Sequence, residues 1–275
     1  MNAADTTGAA ALLAALRWQL EMGADEAVEL APRTITRPQR PQATQAGSTA
    51  ATAAGGPNSR TSPQSSSRTV QTAIHYRTPA LDLSTIQDLG GLRTALMAFD
   101  ACSLPKTASG LVFGEGPATA DVMLIGEAPG AEEDRAGRPF VGPSGQLLDR
   151  MLGSIGLVRQ QVYITNIVPW RPPGNRTPTD QEVALCLPYC QRHIGLVAPR
   201  LIVPLGGAPA KALLGRAEGI TRLRGRWFTL DCPTAPAEIS VLPMFHPAYL
   251  LRNPAAKREA WRDLLTLREK LDAVT

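Results

Sequence analysis

Long apolar stretches are missing from this 275-residue sequence. Runs such as residues 122–125 and 201–205 have the length of buried strands and not of a membrane span. A basic segment followed by an apolar one is also missing near the N-terminus, so no secretory signal is expected. Cysteine is scarce. Cys102, Cys186, Cys190 and Cys232 are irregularly spaced and make no disulfide framework for a chain of this size. A reducing, cytoplasmic setting is therefore expected. Lysine is scarcer than the charge implies, standing only at 106, 211, 257 and 270, so arginine carries most of the positive charge. Its planar fork of donors suits phosphate. The formal net charge of +4 permits a polyanionic partner without requiring one.

Three zones follow one another along the chain. Within residues 1–30, Leu12, Leu13, Leu16 and Leu20 fall on one helical face over 8–22, with Trp18 beside them. A single short helix makes no core, so it is expected either to dock on the rest of the chain or to bind a protein partner. Residues 31–80 are rich in Ala, Thr, Ser, Gln, Pro and Gly and hold almost no large apolar residues. That composition buries too little apolar surface to offset chain ordering and predicts a disordered linker. Residues 81–275 alternate strand and helix patterns and predict the main folded domain.

In that third zone helices are expected over 84–99, 144–155, 208–214 and 255–273, and strands over 121–126, 162–166, 201–205, 227–230 and 239–243. Another helix opens at Thr179, where Glu182 completes a capping box, and Pro188 is expected to kink or break it. The alternation predicts an α/β fold of three layers, α/β/α, around a central, mainly parallel sheet of about four strands. Ligands of such folds sit at the carboxyl ends of the strands. Three loops there carry chemistry-bearing residues.

The first is Gly126-Glu127-Ala128-Pro129-Gly130, followed by Glu133 and by Gly137-Arg138-Pro139-Phe140-Val141-Gly142. Glycine and proline let the backbone come close to a ligand, although an ordinary strand-to-helix turn has the same composition. Phe140 either plugs the core or stacks on a planar base, an interaction worth about 1–3 kcal/mol per base. The second loop begins at Asn166, whose carboxamide offers one acceptor and a donor pair. These complement the O4 and N3–H edge of uracil, where cytosine presents the reverse, though an asparagine can equally cap a turn. The third is His246-Pro247-Ala248-Tyr249-Leu250-Leu251-Arg252. A histidine fixed there by proline can donate to a developing negative charge. Leu250 and Leu251 can wedge into the gap left by an extruded nucleotide, with Arg252 at the phosphates.

Gly-Glu-Ala-Pro-Gly, Gly-Arg-Pro-Phe-Val-Gly-x-Ser-Gly-Gln-Leu-Leu, Tyr-Ile-Thr-Asn-Ile-Val and His-Pro-Ala-Tyr-Leu-Leu-Arg together resemble the uracil-DNA glycosylase superfamily, most closely its family 4. The resemblance covers about 99–271. It implies a repair enzyme that flips uracil out of DNA and hydrolyses its N-glycosidic bond, leaving an abasic site for base excision repair. Phe140 would stack on the base, Asn166 would read its edge, and His246 would stabilise the leaving uracil anion. Glu127 would lie beside the sugar and the attacking water, Glu133 would exclude the thymine methyl, and backbone N–H groups around Ala128 would help bind the base. Uracil-containing DNA is the expected partner of a monomer that acts away from membranes. The competing reading is a DNA-binding module of the same fold with little turnover, recruited through its N-terminal helix.

Family 4 members hold a 4Fe–4S cluster on four cysteine thiolates. By that resemblance Cys102 and Cys186 match two ligands, while Phe99 and Trp170 stand at the other two. The expectation is a chain without the cofactor, its place filled by aromatic packing. A rewired ligand set using Cys190 or Cys232 is the alternative.

Overall fold

Short runs of Val, Ile, Leu and Met, closed by turn residues, make strands that can be buried on both faces. The computed structural model of the chain describes residues 82–274. The helix and linker expected over 1–80 lie outside the described residues. A 3-10 turn at Leu83–Thr85 precedes α1 (Leu89–Met97). This helix begins later than the expected residue 84, because Ile86 is extended and the Asp88 carboxylate caps the helix by accepting the Gly91 N–H at 2.7 Å. Then come α2 (Leu104–Thr107), β1 (Val122–Gly126), α3 (Ala131–Ala136), α4 (Pro143–Ser154), β2 (Val162–Asn166) and α5 (Asp180–Val197). The remainder is β3 (Leu201–Pro204), α6 (Gly207–Leu214), α7 (Ile220–Leu223), β4 (Phe228–Leu230), β5 (Ile239–Val241), α8 (Pro247–Arg252) and α9 (Lys257–Val274).

The sheet order is β2-β1-β3-β5-β4. The first four strands are parallel, and β4 adds a short antiparallel edge to β5, so the sheet has one strand more than expected. Alternate side chains divide between two cores. Met123 and Ile125 face α1, α5 and α6, where Leu96, Cys186, Ile194 and Leu213 are buried. Val122 and Leu124 face α4, α8 and α9, where Leu148, Leu152, Leu250 and Leu264 are buried. Three layers result, as expected. From β1 the chain crosses to β2 on one side and returns to β3 on the other. That reversal opens a crevice at the carboxyl end of β1.

Two expectations need correction. Pro188 does not end α5: the helix runs through to Val197. The carbonyl that loses its donor belongs to Ala184, which is exposed and open to water. Cys186, Cys190, His193 and Ile194 meanwhile anchor the buried side. The segments after Gly130 and His246, read as loops, contain α3 and α8. Their signals were local: three acidic residues in the first turn of α3, and Pro247 at the first position of α8. The Thr179–Glu182 capping box is present as expected, with N···O distances of 3.2 and 2.8 Å.

Candidate active site

Gly126 ends β1 beside Asn166, which ends β2 in register with it. Two candidate site side chains cross directly above this glycine. A Cβ added at Gly126 would lie 2.3 Å from Asn166 Oδ1 and 2.7 Å from Phe140 Cζ, so only glycine leaves room for both. The Phe140 ring is tilted against His246 with centroids 5.5 Å apart. Phe140 is 5 % exposed, its ring belonging at once to the core and to the wall of the crevice. Glu127, Ala128, Glu133 and Phe140 line one cleft of about 630 Å³. Asn166, His246 and Arg252 line the same cleft, so the three loops do converge.

Burial sets the electrostatics. It raises Glu127 above the usual carboxylate range, and a hydrogen bond with the Thr177 side chain pulls the other way. Burial, aided by the Arg252 charge and opposed by Glu133, lowers His246 to about 4. The ring is therefore neutral at neutral pH. Its Nδ1 accepts the Ala248 N–H at 3.1 Å, which leaves the proton on Nε2 and makes that nitrogen the donor. Glu133 is held at three points: one oxygen accepts the Gly130 N–H at 3.1 Å, and the other accepts the N–H groups of Val141 and Gly142 at 3.0 and 2.9 Å. The Asn166 carboxamide, 5 % exposed, makes no hydrogen bond to any described residue.

The two candidate wedge leucines part company. Leu250 is 1 % exposed and packs in the core with α4 and α9, because helical geometry turns it inward once Pro247 starts α8. It is not placed to enter a DNA stack. Leu251 is 42 % exposed, and Arg252 is exposed at the cleft mouth. Sequence reasoning missed Thr177, which reaches Glu127 from the loop that follows β2. It also missed Arg159, which donates to the Phe140 carbonyl, and Glu115, which accepts from Arg159. None of the three belongs to a recognisable local motif.

Where cluster ligands would stand, the Phe99 and Trp170 rings stack at 5.1 Å with 22° between planes, and Tyr189 meets Phe99 edge-on at 5.4 Å. Burial pushes the thiols of Cys102, Cys186 and Cys190 up, away from the thiolate form a cluster needs. Among the described residues no three His, Cys, Asp or Glu side chains are grouped to hold a metal, with Cys190 and Cys232 included in that set. The residues present do not fit a four-thiolate cluster. No described helix is long and apolar enough to cross a membrane.

Comparison with known proteins shows the family. Residues 113–265, more than half of the chain, match the family model of the uracil DNA glycosylase superfamily. A type-4 uracil-DNA glycosylase of Pyrobaculum aerophilum is 44 % identical over 181 residues, covering 64 % of this chain and 91 % of that one. The type-4 enzyme of Sulfurisphaera tokodaii is 38 % identical over 67 % of this chain and 85 % of its own. That of Archaeoglobus fulgidus is 36 % identical over 67 % of this chain and 94 % of its own. The chain belongs to the uracil DNA glycosylase superfamily, among the relatives of its type-4 enzymes.

Proposed function

We propose that the protein excises uracil from DNA as a monofunctional glycosylase. The observation that carries this reading is the crossing of Phe140 and Asn166 over Gly126, with a neutral His246 beside them. A planar base extruded from the stack would lie on the Phe140 ring. Asn166 Nδ2 would donate to O4 and its Oδ1 would accept N3–H, a pattern that cytosine reverses. The backbone around Ala128 would line the base on its remaining side. Glu133, pinned by three backbone N–H groups, cannot swing aside, which suits a fixed wall against the methyl group of thymine.

In the reaction the bond between C1′ and N1 breaks and its electron pair stays on the base. The sugar passes through an oxocarbenium-like state, and a water oxygen bonds to C1′ to leave an abasic site. His246 Nε2–H would donate to the base oxygen on which negative charge grows. The Glu127 carboxylate would face the positive sugar and orient the water, whose proton passes to solvent or to that carboxylate. Preorganised electrostatics carries more of this reaction than a strong base does. Leu251 and Arg252, at the end of α8, would enter the gap and meet the phosphates. No step passes through an iron–sulfur cluster.

The test is release of uracil from a labelled oligonucleotide by the parent and by Asn166→Ala. Turnover by the parent with a loss of about 100-fold or more in the variant is expected, since an edge reader and part of the transition-state geometry are removed together. Normal release by Asn166→Ala would remove the central assignment.

A further inference from the structure

Phe140 has a backbone that its residue type disfavours: φ is +52°, in the left-handed region. Something must hold it there, and the surrounding contacts form a clamp. The Arg159 guanidinium lies just ahead of β2, and its side chain is only 12 % exposed. Its Nη1 donates to the Phe140 carbonyl at 2.9 Å and its Nη2 to the Pro139 carbonyl, so the two carbonyls flanking Phe140 are gripped by one planar group. The guanidinium is itself fixed by Asp149 Oδ1 at 3.1 Å on α4 and by Glu115 Oε2 at 3.2 Å. Glu115 also accepts from Nε and Nη2 of Arg138, two residues before Phe140, at 3.0 and 2.6 Å. From the opposite side Glu133 accepts the next two backbone N–H groups, of Val141 and Gly142. Room for the Phe140 carbonyl comes from Gly145, where a Cβ would lie 1.8 Å from that oxygen.

Two further observations separate this clamp from an ordinary surface ion pair. The Arg159 Nε is buried with no hydrogen-bond partner, so the side chain leaves one donor unsatisfied while its two terminal nitrogens are committed. Glu115, moreover, is bonded into the edge of β2: its N–H and carbonyl exchange hydrogen bonds with Ile164 at 2.9 and 2.7 Å. Ile164 is two residues before Asn166 on the same strand. The clamp thus references the Phe140 backbone to the strand that carries the base-edge reader.

We propose that Arg159, anchored by Glu115 and Asp149, is a positioning residue that holds Phe140 in its left-handed conformation and so sets the ring at stacking distance for a base held by Asn166. It touches no substrate and acts through the ring. The proposal rests on the reading of Phe140 as the stacking residue.

The experiment is a double-mutant cycle on uracil release, with kcat and KM measured separately below the melting temperature of every variant. The proteins are the full chain, Arg159→Met, Phe140→Ala and the double variant. Arg159→Met keeps length and apolar stem but loses both carbonyl contacts, and about a 10- to 100-fold loss in kcat/KM is expected from misplacing the ring. Arg159→Lys, with a single amine for two carbonyls, should recover only part of it. In the Phe140→Ala background Arg159→Met should change kcat/KM by less than about twofold, because the ring through which it acts is gone. A merely structural arginine would cause the same loss in both backgrounds, and that result overturns the proposal, as does a folded Arg159→Met with parental kcat/KM. Should Arg159→Met fail to fold, Glu115→Gln takes its place in the cycle, with a smaller loss that must again vanish without the ring. If Phe140→Ala alone releases uracil at the parental rate, the stacking reading itself fails and the clamp falls with it. That outcome differs from a slow Phe140→Ala beside an unaffected Arg159→Met, which sinks the clamp only.

Discussion

Truncating Phe99 asks whether aromatic packing does structurally what a metal cluster does elsewhere in the family. The ring is 7 % exposed, stacked on Trp170, which is 3 % exposed, and met edge-on by Tyr189. Removing a buried phenylalanine side chain costs about 3–5 kcal/mol once the residual cavity is included. The ring pairing beyond burial contributes about 0.5–1.5 kcal/mol of that. For a domain of this size each kcal/mol lowers the melting temperature by about 2–4 °C, so Phe99→Ala should melt about 6–20 °C below the parent. Phe99→Leu, which keeps most of the volume and loses the ring pairing, should fall by only about 1–6 °C. Phe99 packs on the sheet face opposite to the core that holds Phe140. Uracil release measured well below both transitions should therefore change by less than about twofold. The assay is a thermal melt followed by circular dichroism, with iron content and absorbance near 400 nm recorded on anaerobically purified protein. An unchanged melting temperature in Phe99→Ala, or about four irons per chain, would refute the reasoning.

Gly126→Ala should abolish most uracil release while leaving the fold recognisable, because the new methyl group takes the space of Asn166 Oδ1 and Phe140 Cζ; a fully active variant would show that the two side chains do not meet over this glycine. The acid limb of activity should lie above pH 4.5, since burial raises Glu127 and the working form is the carboxylate, so rate falls as pH drops through the raised value. Thr177→Val, which loses the bond that lowers Glu127, should move that limb further up, and a limb that stays in place would deny the contact. Because a raised carboxylate opposes folding once ionised, Glu127→Gln should be more stable than the parent at neutral pH and no more stable below about pH 4.5, read by melts at both values. Glu133→Gly should admit larger 5-substituted pyrimidines and also lower stability through three orphaned N–H groups, and unchanged discrimination against thymine would remove the gate role.

The gathering of the candidate site residues in one cleft was legible in the sequence where the signal is local. Glu127 directly follows β1, Asn166 ends β2, and His246 stands five residues beyond β5, and parallel strands bring their carboxyl ends together whatever the loops do. The residues that were not legible act across long separations. Arg159 reaches Phe140 over 19 positions and Glu115 over 44, and nothing in their neighbourhood marks them. Leu250 and Leu251 look alike in the sequence, and only the start of α8 at Pro247 turns one into the core and the other outward. Pro188 misled because the rule against internal proline counts the lost bond without asking which side of the helix loses it. The fifth strand was legible as a segment over 227–230, but its antiparallel place at the edge depends on pairing with β5 that no local pattern encodes.

Release of uracil from an oligonucleotide containing a single uracil, by the parent protein and by Asn166→Ala, with iron quantified in the same samples, tests the central claim most directly. The account predicts turnover by the parent, an abasic product, loss of turnover in the variant, and activity that does not track iron. Binding without release by the parent would contradict it and point to a module that keeps the pocket without the reaction.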